Sequence, residues 1–440
     1  MQALTYEQTL SFREAFEGDR AAKTANAACA RTELSDLAFL PMNAAKLLAP
    51  FTISLKTRGI TAQEKSGRCW MFAALNLLRE RVAERLNLKQ FEFSENYLAF
   101  YDKLEKSNNF LNMVIETAHL PLESRELGYI LGGIGDGGYW CMAVDLIQKY
   151  GLVPKQVMPE SYQSSHTEKG RKLLNDLLRR DAAELRDMIG AGQDPEPRRV
   201  EMLRGIYKLL CITFGEPVTE FDFTWRDQDD CVHTDTGLTP QAFYAKYVGV
   251  DLDQWVEVTN APTGKAKLHE PFTFHYMGNM AEKNVVGLNL PFEEFEQLAL
   301  ASLRGGDPMW FACDAGAFGD RKTGVWDPDS FDYEGLLGGV RLEMPTKQKR
   351  LEYRQSIGTH AMLLIGVHLD EDGKPTRWQI ENSWGKDVGA EGYFVCSERY
   401  FRDYTYELIV KKSYLTEAQR QMLTHEPIEL LPWQDVPIGL

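Results

Sequence analysis

Apolar residues change their spacing along this chain, and that change limits the possible folds more than any other feature. Between residues 70 and 87 they recur at Trp70, Ala74, Leu75, Leu78, Val82 and Leu86, the period of a helix. A second helix is predicted from Ser94, a good N-cap, through Glu95, Tyr97, Leu98 and Tyr101. The first fifty residues read as helical with a turn near Pro41, and residues 171–189 and 197–210 as charged helices. The last hundred residues differ. Short apolar and aromatic runs at 361–367, 378–380, 393–395 and 406–410 alternate with turn residues and read as strands. Helices first and strands last predict an α+β fold rather than a regular α/β alternation. No segment of 20–50 residues repeats, which argues against a solenoid.

Composition excludes several classes of function. Lys+Arg 49 against Asp+Glu 64 leaves a net charge of −15, which opposes a general nucleic-acid or anionic-membrane role. The opening MQALTYEQTLSFREAF has no basic region followed by an apolar run, so no signal peptide is expected. The apolar run 361–367 is too short to span a bilayer. The seven cysteines (29, 69, 141, 211, 231, 313 and 396) are scattered and odd in number, with no Cys-x-x-Cys pair. They predict neither a zinc site nor a disulfide framework, and fit reduced thiols in a cytoplasm.

Cys69 sits where chemistry is expected. In Gln63-Glu-Lys-Ser-Gly-Arg-Cys69-Trp-Met-Phe72, Ser66-Gly67 makes a turn and Cys69 falls in the first turn of the following helix. Unpaired N–H groups and the positive end of the helix dipole favour a thiolate there. A buried structural cysteine is the ordinary alternative. A thiolate nucleophile also needs a base. His360 opens the apolar run Gly358-Thr-His-Ala-Met-Leu-Leu-Ile-Gly366 and should stand at the end of a buried strand. Such a histidine is often a plain core residue, but Asn382, in Glu381-Asn-Ser-Trp-Gly385, follows 22 residues later on the next predicted strand. Its amide oxygen can orient the imidazole, and the nearby indole of Trp384 can shield that bond, which completes a nucleophile–base–orienter set. Gln63 can donate an amide N–H to an oxyanion beside the Cys69 N–H. Five glycines in the eight residues 131–138 dictate a loop, but without Gly-Lys-Ser/Thr this is no phosphate loop.

These segments, in this order, resemble the signatures of papain-like cysteine peptidases. The resemblance makes Cys69 the nucleophile, His360 the general acid/base, Asn382 the orienting amide and Gln63 the oxyanion-hole residue. Gly137-Gly138 resembles the glycine pair whose backbone lies antiparallel to the substrate, and Trp384 the indole over the Asn–His contact. Gly67-Arg68-Cys69-Trp70-Met71-Phe72, the 291-residue interval from Cys69 to His360, Trp310–Asp314 and Asp327-Pro328 are closest to the bleomycin hydrolase and bacterial aminopeptidase C branch.

That branch implies one papain-like peptidase unit over residues 1–440: an N-terminal helical segment at 1–50, a helical insertion near 155–275 and a C-terminal arm at 430–440. It further implies a cytoplasmic homohexamer acting on peptide substrates, with no metal or organic cofactor and no membrane or nucleic-acid partner. The terminal carboxylate, here on Leu440, would pair with the substrate's α-ammonium, so that single residues are released from the N-terminus. The tail from Leu431 to Leu440 departs from the branch pattern in spacing and final residues, so an endopeptidase of the same family is the alternative.

Overall fold

The computed structural model describes residues 1–281 and 283–433. Its helical half is built around Cys69–Arg85, in which thirteen of seventeen residues are buried. Residues 69–79 are buried throughout, against the large sheet and neighbouring helices, and Arg81, Glu84 and Arg85 mark the end that meets solvent. Glu95–Glu116 begins where predicted: the Ser94 hydroxyl accepts the Tyr97 N–H at 3.0 Å. Trp140–Tyr150 packs beside both helices, directly after the glycine loop.

Among the described residues, twelve strands form one sheet. Its centre is antiparallel: Thr405–Lys411, Met309–Cys313, His360–Leu369, Pro375–Glu381 and Tyr393–Ser397 lie side by side. His360 stands opposite Cys313, and Ala361 opposite Ala312. Side chains alternate between two cores. Ala361, Leu363 and Ile365 face the Cys69 helix. Met362 and Leu364 face the Phe292–Arg304 helix on the other side. The Cys69 helix and the His360 strand are thus in direct contact, and the site forms at that seam.

The stretch 155–275, expected as a helical insertion, is helical through Phe214, in Thr167–Gly190 and Glu196–Phe214. A hairpin follows, Phe221–Arg226 with Val232–Leu238, and Trp255–Thr259 and Glu270–Phe274 then enter the large sheet. WVEVT and EPFTF are rich in β-branched and aromatic residues, which favour a pleated surface over a helix. The helices Tyr6–Gly18 and Arg20–Cys29 bury no residue. The expected arm at 430–440 is described only as far as Trp433; residues 434–440, including Leu440, lie outside the described residues.

Candidate active site

The turn before Cys69 is tied down on every side. The Arg68 guanidinium, 2% exposed, makes a two-pronged contact with Glu160 at 3.1 and 2.9 Å. Its Nε also donates to the Ser66 hydroxyl at 3.0 Å, and that hydroxyl donates to the Gln63 carbonyl at 2.6 Å. Arg68 caps the helix, so Cys69 is its first residue. Three backbone N–H groups, those of Ala361, Trp70 and Cys69, act on the thiol. Ala361 is the next residue after His360, which sets the sulfur at the end of the His360 strand.

His360 Nε2 donates to Asn382 Oδ1 at 2.8 Å. The Ser383 N–H converges on the same oxygen at 2.7 Å. Two donors on one atom fix which end of the amide is oxygen, and hence put the imidazole proton on Nε2 and leave Nδ1 open as the base. Trp384 lies on the imidazole face with ring centroids 4.6 Å apart and planes at 19°. Above the same indole, the Arg321 guanidinium carbon sits 4.0 Å from the ring centroid. Asn382 is fully buried, so its bond to His360 is dry and strong.

Burial opposes the thiolate expected from the helix start. Desolvation pushes the Cys69 thiol up to about 11 although the three N–H groups pull the other way. His360 is driven down to about 4, first by burial and further by the Arg321 charge, with the Asn382 bond opposing. A thiol and a neutral imidazole are therefore what burial favours, and the helix terminus is the weaker influence.

Gln63 bridges the two halves. Its Oε1 accepts from the Ser383 hydroxyl at 2.8 Å, and its Nε2 donates one hydrogen to the Ser66 carbonyl at 2.7 Å. The second amide hydrogen is left for a ligand. The Gln63 N–H also donates to the Ser383 carbonyl at 2.8 Å. Gln63, Ser383, Asn382 and His360 form one continuous hydrogen-bonded chain.

The two glycines of the expected substrate edge behave differently. Lys106 Nζ donates to the Gly137 carbonyl at 2.6 Å, so one lone pair of that oxygen is already used. Lys103 Nζ holds the Gly135 carbonyl at 2.6 Å and the Asp136 carboxylate at 2.7 Å. No hydrogen bond engages the Gly138 N–H or C=O among the described residues, which leaves Gly138 as the free edge. Its Cα presses on the Trp70 indole, where a Cβ would come within 2.7 Å. The sequence offered no sign of Lys103 and Lys106, which sit in an ordinary-looking amphipathic helix. Nor did it mark Arg321, which lies in a turn between two short strands, Gly319–Asp320 and Val325–Trp326.

Residues 3–437 match the Peptidase C1-like family. The chain belongs to that family. It is 41% identical over 394 residues to aminopeptidase C of Streptococcus thermophilus, covering 88% of each chain. It is 40% identical over 442 residues to aminopeptidase G of Lactobacillus delbrueckii subsp. lactis, covering 98% of this chain and 99% of the relative. The crystal structure of PepW from Lactobacillus rhamnosis HN001 superposes with a TM-score of 0.96 at 38% identity, over 100% of this chain and 99% of that one. The family likeness predicted from the Cys69, His360 and Asn382 segments is thus established, and the fold is the α+β papain-like one. The chain is a cysteine-type peptide hydrolase.

Proposed function

We propose that the chain is an aminopeptidase that works through Cys69, His360, Asn382 and Gln63. The observation that carries this reading is the buried bond from His360 to Asn382, with Nδ1 left open beside a cysteine at a helix start. Its relatives bear the names aminopeptidase C and aminopeptidase G, which supports action at the N-terminus.

A peptide lies along Gly138, whose free N–H and C=O pair with its backbone in strand fashion. Cys69 Sγ attacks the carbonyl carbon as its proton passes to His360 Nδ1, so the charged pair forms during attack rather than before it. The oxyanion gathers the Cys69 N–H and the second hydrogen of Gln63 Nε2, each such donor being worth about 3 kcal/mol. His360 gives the proton to the leaving amine, then takes one from water as that water attacks the thioester, and returns it to the Cys69 sulfur as the C–S bond breaks. Asn382 and Trp384 hold the ring so that Nδ1 serves in both steps. The terminal carboxylate of Leu440 would receive the substrate's α-ammonium.

A homohexamer in the cytoplasm belongs to the same reading. The helix Tyr6–Gly18, with Leu10, Phe12 and Phe16 exposed, offers a surface for association. The seven cysteines are all unpaired, as a reducing compartment requires. Among the described residues no helix is long and apolar enough to cross a membrane.

Digestion of an unblocked peptide beside its N-acetylated twin tests the proposal. Stepwise loss of N-terminal residues from the free peptide alone is expected. Internal cuts in both would replace the aminopeptidase with an endopeptidase. Cys69→Ala is expected to abolish turnover in either case with an unchanged circular dichroism spectrum, and retained turnover would reject the nucleophile.

A further inference from the structure

Arg321 is an exposed cation on the tryptophan that covers His360. It opens the turn between Gly319–Asp320 and Val325–Trp326. Its carbonyl accepts the Gly389 N–H at 2.9 Å, which ties the turn to the loop that follows Trp384. One oxygen of Asp320 closes the turn from within, accepting the Thr323 N–H at 2.7 Å and the Thr323 hydroxyl at 2.6 Å. The guanidinium is thus carried on a braced turn, its carbon 4.0 Å from the Trp384 ring centroid, and Trp384 lies 4.6 Å from the His360 ring.

Among the described residues nothing acidic claims this charge. No carboxylate there lies within ion-pair distance of Arg321 and no hydrogen bond engages its guanidinium, whereas its neighbour Lys322 pairs with Asp36 at 3.2 Å. Stacking occupies only the face of a guanidinium. Its N–H groups point outward in the plane, in the fork that matches a carboxylate. The charge also works against the reaction while it stands alone. It opposes a proton on His360, and His360 must take one as Cys69 attacks. An anion brought by the substrate removes that opposition.

The position sets where on the substrate such an anion belongs. In the reading above, the amino-terminal side of the peptide runs along Gly138, and the leaving amine receives its proton from His360. The chain beyond the cut bond therefore passes His360 toward Trp384. One extended residue advances it by about 3.3–3.6 Å, comparable with each of the two stacking distances between Arg321 and the imidazole. A carboxylate on the first residue past the cut bond comes within reach of the fork.

We propose that Arg321, seated on the Trp384 indole, is a carboxylate receptor on the leaving-group side of the Cys69 cleft. The proposal rests on the aminopeptidase reading. Two sources supply the anion: the terminal carboxylate of a dipeptide, or the side chain of an acidic residue that follows the cut bond.

Two pairs of unblocked substrates separate these sources, each followed as loss of the intact peptide by liquid chromatography. Ala-Ala is compared with Ala-Ala-amide, and Ala-Glu-amide with Ala-Gln-amide. In at least one pair, kcat/KM for the carboxylate member is expected to exceed that of its neutral partner by about fivefold, the upper range for an exposed ion pair. A preference in the first pair assigns the terminal carboxylate, and one in the second assigns the side chain. Arg321→Gln should bring that ratio to unity, and reading it within each variant cancels any general change in activity. Lys322→Gln removes the same charge from the adjacent exposed residue and should leave the ratio as in the wild type. Ratios of unity in both wild-type pairs overturn the proposal. So does a ratio that survives in Arg321→Gln, or one that falls equally in Lys322→Gln. If none of the four is cut while a longer N-acetylated peptide is cleaved internally, the aminopeptidase reading fails and the receptor falls with it.

Discussion

His360 is held between two influences of opposite sign. The Asn382 oxygen favours its protonated form, while burial and the Arg321 guanidinium across the Trp384 ring favour the neutral one. A neutral His360 is the competent base, so activity is expected to fall only as pH drops through its depressed value, near 4 rather than 6.5. Arg321→Gln removes a repelling charge and raises that value. The acid limb of kcat/KM against pH should then move to higher pH, with little change on the plateau. An acid limb that stays in place would show that the guanidinium only packs. Gly138→Ala is a second residue-scale case. The added Cβ meets the Trp70 indole at 2.7 Å, and overpacking of this kind costs about 1–3 kcal/mol. The loop gives way instead of the helix, so KM should rise more than kcat falls, as steady-state kinetics would show.

At the scale of elements, the join between helix and sheet depends on one buried ion pair. Arg79, on the Cys69 helix, meets Glu381 at 2.6 Å, and the two side chains are 1% and 0% exposed. Arg79 also donates to Asn76, which donates to Thr61, and the Thr61 carbonyl accepts the Gly385 N–H. Glu381 immediately precedes Asn382, so this network sets the height of the His360 partner against the helix. Removing one member of a buried pair leaves the other uncompensated, and Arg79→Ala is expected to destabilise the fold by about 3–5 kcal/mol, measured as a shift in urea midpoint with unchanged slope. These elements were legible in the sequence to different degrees. The helix after Cys69 and the strand after His360 were visible because their apolar runs are long and flanked by strong turn residues. Trp255–Thr259 and Glu270–Phe274 read as part of an insertion because each is five residues long and lies far in sequence from the central strands of the sheet. The catalytic set was visible as separate segments, but the clamps around it were not: a lysine that will hold a carbonyl thirty residues away looks like any surface lysine.

At the scale of the whole molecule, the N-terminal helices have no interior of their own. Tyr6–Gly18 is stabilised by a capping box at Thr5 and Gln8 rather than by packing, and isolated helices of that length are marginal in water. A partner surface is the natural source of the missing stabilisation. Sedimentation velocity of the full chain is expected to show a hexamer. Deleting residues 1–30 should yield smaller species whose Cys69 is alkylated as fast as before, and an unaltered sedimentation coefficient per chain mass would place the contact elsewhere.

The lysines on the Glu95–Glu116 helix have a kinetic meaning as well. With the Gly135 and Gly137 carbonyls engaged by Lys103 and Lys106, Gly138 is the glycine of the Gly137-Gly138 pair whose N–H and C=O both stay open to a bound peptide. Two hydrogen bonds at about 0.5–1.5 kcal/mol each make a short-lived grip. So slight a hold by the loop favours early release of a cut product.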